Sequence, residues 1–446
     1  MLSERPRRFG AGAASFLLLS SLACASARAP QAAKAPAPEA ARAAGRLELI
    51  EAGAGLPRSG QWRHSFALAD LDGDGRLDLA HGPARKGARR PVVFLGDGKG
   101  GFRRWDEAKY PAFPYDYGGI AAGDVDGDGR TDLALGVHML GVAVLLQKEP
   151  GVFSLSVEGL PLRGQGTGPA FSSRAVALAD ADGDGKLDLL ALSEGPLSPG
   201  AASGAQPVGV ALFLGRGGAW QRTAEGPAPD TAFGSGLVSG DLNGDGVPDL
   251  LVATSVQGDR RILRLGNREG ASSFLPVELT DLPERAFVLA AGFGDFDADG
   301  RLDLAVSTLV PGKEGLVSRV DVLLSRPSGF ESRPVLSEPG RHPRGAVAAG
   351  DLNGDGRTDL ALLGGDGKLE TWLGDGRGGF APAARVAPPA ERIGCAGYHV
   401  AVRDLDGDGL GDVVAAFAGE GSASDPDAPC LSAGALVAWR SSVPGR

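Results

Sequence analysis

The sequence predicts an all-β protein, a seven-bladed β-propeller with four-stranded blades. Three observations carry that expectation. One acidic loop, D-x-[DN]-x-D-G-x-x-D, recurs seven times, beginning at Asp70, Asp124, Asp180, Asp241, Asp295, Asp351 and Asp404. Successive starts lie 54, 56, 61, 54, 56 and 53 residues apart, a period that means stacked supersecondary units. Within each period, short apolar runs alternate with Gly-, Asp- and Pro-rich turns, the pattern of strands and not of helices. The two ends complement each other: the last unit lacks a fourth strand, and a spare strand-like segment precedes the first.

Each unit reads in the same order. A small apolar run such as Ser65–Ala69 or Gly345–Ala349 enters the loop, and the loop's last aspartate opens a second strand, as in Asp78-Leu79 and Asp359-Leu360. A third strand follows, for example Val92–Leu95, Ala211–Leu214 or Leu369–Leu373. A glycine turn then leads to a more polar fourth strand beginning near Phe102, Phe153, Phe330 or Phe380. Four strands in seven units is the arithmetic of a propeller. The final unit closes with Leu436–Trp439, and Arg46–Glu51, within a closing segment over 46–52, supplies its missing outer strand and covers an open sheet edge.

The loop spacing has a chemical reason. Positions 1, 3, 5 and 9 carry oxygen ligands, position 7 lends a backbone carbonyl, and glycine at position 6 permits the sharp turn, a donor set suited to Ca²⁺. The first three sets are Asp70, Asp72, Asp74, Arg76 and Asp78; Asp124, Asp126, Asp128, Arg130 and Asp132; Asp180, Asp182, Asp184, Lys186 and Asp188. The fourth and fifth are Asp241, Asn243, Asp245, Val247 and Asp249; Asp295, Asp297, Asp299, Arg301 and Asp303. The last two are Asp351, Asn353, Asp355, Arg357 and Asp359; Asp404, Asp406, Asp408, Leu410 and Asp412. Up to seven ions are expected, with the Asn243 and Asn353 loops the weaker. Ala298, at position 4 of the fifth loop, departs from the usual glycine. An EF-hand begins alike but needs a glutamate at position 12, where the first loop has His81, and helical flanks.

These loops and their strand flanks resemble the FG-GAP or VCBS repeats of integrin α-subunit head propellers and of many bacterial exported proteins, over roughly residues 46–446. The resemblance implies the propeller fold and a calcium ion in the hairpin between the first two strands of each blade. It implies no single activity.

Composition fits a globular protein, with 43% hydrophobic and 22% charged residues and 71 glycines for many tight turns. The net charge of −10 is no guide to partners, because 26 of the 55 acidic residues sit in the loops and seven bound Ca²⁺ would bring the total to about +4. Nothing supports nucleic-acid binding. Residues 1–29 read as an export signal: Arg5, Arg7 and Arg8 precede an apolar stretch from Phe9 to Leu22 and small residues around Cys24. Two processings stay open, ordinary cleavage or lipidation of Cys24 with membrane attachment. Residues 30–45 are an Ala/Pro-rich linker. The expected location is extracellular, at the cell surface or in the periplasm. Cys395 and Cys430 are expected to form a disulfide there, between an entrance loop and a second-to-third-strand loop.

With the acidic hairpins on one face, the loops entering each first strand gather near the axis on the other. They carry Arg63, His64, Tyr115, Tyr117, Arg174, Arg285, His342, Arg344, Tyr398 and His399 as candidate ligand residues, with Trp62, Phe171, Phe233 and Phe287 beside them. Aromatic planes beside cations suit sugars, acidic sugars or acidic peptides. The sequence shows no phosphate loop, nucleophile elbow or zinc spacing. The expectation is therefore a monomeric, non-enzymatic binding or adhesion module for a protein or glycan. A lectin-like module, or a lyase or hydrolase on acidic polysaccharide, is the alternative.

Overall fold

The computed structural model describes residues 47–84, 89–166, 171–194, 209–217, 219–223, 234–254, 258, 260–268, 271–340, 344–389, 392–419 and 434–445. The export signal, Cys24 and the linker lie outside them, as do Phe233, His342 and Cys430. The described strands form seven four-stranded antiparallel sheets. Blade 1 is β2 (Phe66–Ala69), β3 (Asp78–His81), β4 (Val92–Gly96) and β5 (Phe102–Arg104). Blade 2 is β6 (Ile120–Gly123), β7 (Asp132–Val137), β8 (Gly141–Glu149) and β9 (Val152–Ser156), and blade 3 is β10 (Ser173–Ala179), β11 (Asp188–Ser193), β12 (Val210–Arg216) and β13 (Ala219–Arg222). Blade 4 is β14 (Gly234–Gly240), β15 (Asp249–Thr254), β16 (Arg261–Arg268) and β17 (Ala271–Glu278), and blade 5 is β18 (Phe287–Gly294), β19 (Asp303–Gly312), β20 (Gly315–Arg326) and β21 (Gly329–Pro339). Blade 6 is β22 (Arg344–Gly350), β23 (Asp359–Gly364), β24 (Leu369–Gly374) and β25 (Phe380–Val386). Blade 7 is β26 (Cys395–Arg403), β27 (Asp412–Gly419) and β28 (Leu436–Ser442), completed by β1 (Glu48–Ala52).

The closing strand pairs as its sequence suggests, from Glu48 opposite Ser442 to Ala52 opposite Ala438. Burial explains why the inner strands are apolar on both faces. Throughout β3, β7, β11 and β23 every residue is buried, because each sheet is packed between two neighbours. Outer strands such as β5 and β25 face solvent and carry the polar residues. Seven apolar clusters lie between successive blades. One joins Leu79 and Phe94 of blade 1 to Val414 and Leu436 of blade 7, so the ring is closed by side-chain packing as well as by β1. The other six clusters fill the remaining interfaces.

Backbones also meet directly between blades. Gly159 has φ +86, and a Cβ there would lie 1.7 Å from the Trp220 carbonyl oxygen of the next blade's outer strand. Gly159→Ala should therefore destabilise the fold by about 2–4 kcal/mol, from left-handed strain plus overlap. A denaturant midpoint unchanged from wild type would refute that packing.

Five first strands carry a β-bulge near their start, skipping one residue opposite the second strand. In β10 the extra residue is Arg174, and in β26 it is Tyr398. A bulge re-aims the side chain of its extra residue, and here it does so at the end of the strand remote from the acidic loop. Tyr398, His399 and Cys395 were expected in a loop entering the strand. They lie within β26 instead, because the first strand runs several residues further from the hairpin than its apolar run suggests.

Candidate functional site

All seven acidic loops join first and second strands. The last first-strand residue pairs with the position-9 aspartate in each hairpin, as in Ala69 with Asp78 and Gly350 with Asp359. The position-1 carboxylate organises the turn: Asp70 Oδ1 accepts the Gly73 and Asp74 amides at 2.8 and 3.1 Å, and Oδ2 accepts the Gly75 amide at 2.8 Å. Positions 4 and 6 both take positive φ, 82° at Gly73 and 83° at Gly75. Ala298 is forced to φ 59° at the same place in the fifth loop, at a cost of about 1 kcal/mol.

Carboxylate oxygens converge within the loops. In Asp70/Asp72/Asp78, Asp124/Asp126/Asp132, Asp180/Asp182/Asp188, Asp295/Asp297/Asp299 and Asp404/Asp406/Asp412, one oxygen from each residue lies within 4.8 Å of the others. The Oδ1 atoms of Asp126, Asp297 and Asp406 are buried with no hydrogen-bond partner among the described residues. Buried oxygens left unmatched are costly, and a hard divalent cation satisfies them, so these residues fit a metal ion. In the fourth and sixth loops the amide is already engaged. Asn243 Nδ2 donates to Asp245 Oδ2 at 3.0 Å, and Asn353 Nδ2 to Asp355 Oδ2 at 2.9 Å.

Two features of the loops were not read from the sequence. The position-9 aspartate is a backbone staple as well as a member of the acidic cluster. Asp78 is fully buried, with Oδ2 accepting the Leu71 amide and Oδ1 the Gly96 amide, both at 2.8 Å. Asp132, Asp188, Asp303, Asp359 and Asp412 repeat the arrangement, each tying its loop to the third strand. Burial pushes the Asp78 carboxyl up to about 6 and that of Asp359 up to about 7, against the pull of the two amides. Second, basic side chains lie against the acidic groups. Position-7 arginines pair with position 5 (Arg76 with Asp74, Arg130 with Asp128, Arg301 with Asp299, Arg357 with Asp355). From the ends of third strands, Lys148, Arg216, Arg326 and Arg440 reach position 3 at 2.7, 2.7, 2.8 and 2.8 Å.

The axial cavity, of about 570 Å³, runs along six first strands between mostly apolar side chains, from Arg403 beside the seventh acidic loop to Arg63, His64, Tyr398 and His399 at the mouth remote from the loops. Arg63 lies over the Tyr398 ring at 5.7 Å. The Tyr117 ring stacks with His64 at 5.5 Å and with His138 at 4.4 Å. His138 Nδ1 lies 2.7 Å from Glu194 Oε2, and Ser172 Oγ donates to Glu194 Oε1 at 2.8 Å. Arg174 Nε is 3.0 Å from the same Oε2, an ion pair whose N–H is not aimed for a hydrogen bond. Burial alone would raise the Glu194 carboxyl; His138, Arg174 and Ser172 together hold it below its ordinary value. Burial first, then the charges of His81, Arg174, Arg63 and His138, keep the His64 imidazole well below its ordinary value. The buried His64 Nε2 has no hydrogen-bond partner among the described residues.

The structure thus brings together Arg63, His64, Tyr117, Arg174, Tyr398 and His399, and adds His138, Glu194 and Ser172, which the sequence reading missed. Other candidates are engaged elsewhere. Tyr115 donates its hydroxyl to the Pro111 carbonyl at 2.9 Å and packs on Phe113. Arg344 is committed to the buried Glu370, and to Glu338 at 3.1 Å. Arg285 is exposed in the turn before β18. Cys395 is buried and disulfide-bonded. Its expected partner Cys430 is outside the described residues.

His81 and His399, edge-on to Trp62 and Phe66 respectively, are each lowered by burial to about 4. A histidine lowered in the fold stabilises it above the unfolded value near 6.5, and that stability is lost as pH falls from there toward about 4. Between pH 7 and about 5, His81→Phe should therefore gain on wild type by a share approaching about 2 kcal/mol, set against the opposite contribution of the raised loop aspartates in both proteins. Identical pH profiles for the two proteins would refute a neutral buried His81.

Fold and loops together define a ring of repeats with an acidic hairpin in each blade, five of which bring three carboxylates together. Residues 84–135 and 351–415 match the FG-GAP-like repeat family, and residues 233–272 match the FG-GAP repeat. Human integrin alpha-IIb is 33% identical over 154 residues, covering 29% of this chain and 14% of the integrin. The chain carries FG-GAP repeats and resembles the N-terminal propeller of integrin α subunits; it spans only about 14% of the length of that relative. Among solved structures, BBS1N in complex with ARL6DN aligns at TM-score 0.49 (lead soak) and 0.48 (mercury soak), with 13% identity. Those alignments cover 89% and 90% of this chain and 97% of the other.

Proposed function

We propose that the protein is an exported, calcium-binding propeller that holds a protein or glycan ligand at the face opposite its acidic loops. The observation that supports this most is the gathering of Arg63, His64, Tyr117, Arg174 and Tyr398 around one mouth of the axial cavity. Concave, part-apolar sites with a few convergent polar groups are where ligands bind. Calcium occupies the hairpins in this reading, with the acidic residues of each loop as its ligands, and stiffens the blades that carry the mouth. Export delivers the chain to an oxidising compartment, where the Cys395 disulfide is stable; mass spectrometry of the mature N-terminus distinguishes cleavage from lipidation at Cys24.

A glycan array and immobilised extracellular-matrix proteins, probed with wild type and with Tyr398→Ala, test the reading. Binding that the substitution abolishes while the melting curve is retained is expected. Binding indifferent to the mouth would overturn it. One observation favours a second reading, chemistry on an acidic polysaccharide. The buried Glu194 holds His138 Nδ1, and His138 Nε2 has no partner among the described residues, the arrangement of an oriented general base. An ultraviolet assay for unsaturated products separates binding from turnover.

A further inference from the structure

The mouth contains one place where donors outnumber acceptors. Glu194 is fully engaged by Ser172, His138 and Arg174. Arg174 and His138 meet at a single oxygen of that carboxylate, which fixes the guanidinium beside the imidazole. Beyond that contact, the two Nη atoms of Arg174 have no acceptor among the described residues, nor does His138 Nε2. His64, 8% exposed and stacked with the same Tyr117 ring as His138, adds an unmatched Nε2. Arg174 occupies this place because the β10 bulge makes it the extra residue of its strand. His64 of this corner lines the axial cavity, as do Ala175 and Val176, which follow Arg174 in β10, so the corner borders that space.

We propose that this corner is a carboxylate subsite, in which Arg174 Nη1 and Nη2 grip the planar acid group of a uronate sugar, with His138 and His64 alongside. A guanidinium with both terminal nitrogens unmatched presents the two-pronged fork that a carboxylate accepts bidentately, which a neutral sugar hydroxyl does not. The cavity of about 570 Å³ is of a size to admit the sugar ring that bears the acid. The half-buried Tyr398 at the same mouth offers an aromatic ring for that ring's apolar face. A glycan fits this combination better than an acidic peptide, whose flexible side chain needs no such cavity.

The inference rests on the ligand-binding reading above and names the chemistry of that site. Titration calorimetry on the calcium-loaded full chain tests it with trimers of galacturonate, glucuronate and mannuronate, with their methyl esters, and with triglutamate. At least one uronate trimer should bind, and its methyl ester, equal in shape but uncharged, should bind on the order of 10- to 100-fold more weakly. Arg174→Gln should weaken the acid by a similar factor and leave the ester nearly unchanged. The comparison of acid with ester uses wild type alone, so it stands even if the variant misfolds. Equal affinity for acid and ester, no binding of any uronate trimer, or preference for triglutamate would overturn the proposal. A neutral ligand lost in Tyr398→Ala but retained in Arg174→Gln would sink the subsite and leave the wider binding reading intact.

Discussion

Excess chelator is expected to lower the melting temperature by roughly 15 °C or more, a larger effect than any single substitution. Each loop places several carboxylates on nine residues, and in five of them three carboxylate oxygens already converge. An ion that binds only the folded state contributes about 2.7 kcal/mol per site at 100 times its dissociation constant. Several such sites sum to more than a typical domain's whole stability. The effect has a limit, however. Arg76, Arg130, Arg301 and Arg357, with Lys148, Arg216, Arg326 and Arg440, already neutralise part of the repulsion. Metal-free protein should therefore remain folded at low temperature and not collapse outright. Replacing Asp72 and Asp74 together by alanine removes one site and should lower the melting temperature by less than the chelator does. Superimposable melting curves with and without chelator would exclude structural calcium.

Deleting residues 46–52 should cost about 5 kcal/mol or more, and leave a protein that aggregates. The segment supplies five register pairs to β28 and places Leu47, 4% exposed, against Trp439 and Phe417. Without it, β28 presents an unpaired edge next to an opened apolar cluster. A synthetic peptide of the deleted sequence, added in trans, should restore part of the lost stability. A truncated protein as stable and as monomeric as the full chain would refute closure by β1.

Much of this architecture was legible because each blade repeats one pattern. The hairpin position, the strand order and the complementary ends followed from apolar runs and the acidic motif, and the register between Ala69 and Asp78 agrees with them. The double role of the position-9 aspartate was less visible. The motif assigns every carboxylate to an ion, yet a carboxylate opening a fully buried strand must also find backbone donors. That signal lay in the leucine or valine that follows each of these aspartates. The bulges were hidden because adding one residue to a short strand leaves its composition unchanged. His138 and Glu194 were overlooked although a signal existed. Each stands six residues after the position-9 aspartate of its blade, Asp132 and Asp188, so equivalent positions on neighbouring blades meet. Scanning the repeats at that offset would have paired them.

The partnership of Glu48 with Ser442 has a consequence in time. β1 is made before the first acidic loop and its partner β28 only after the seventh, so the last sheet stays open while the other six are being synthesised. For that interval both halves of the sheet are available to the wrong partner.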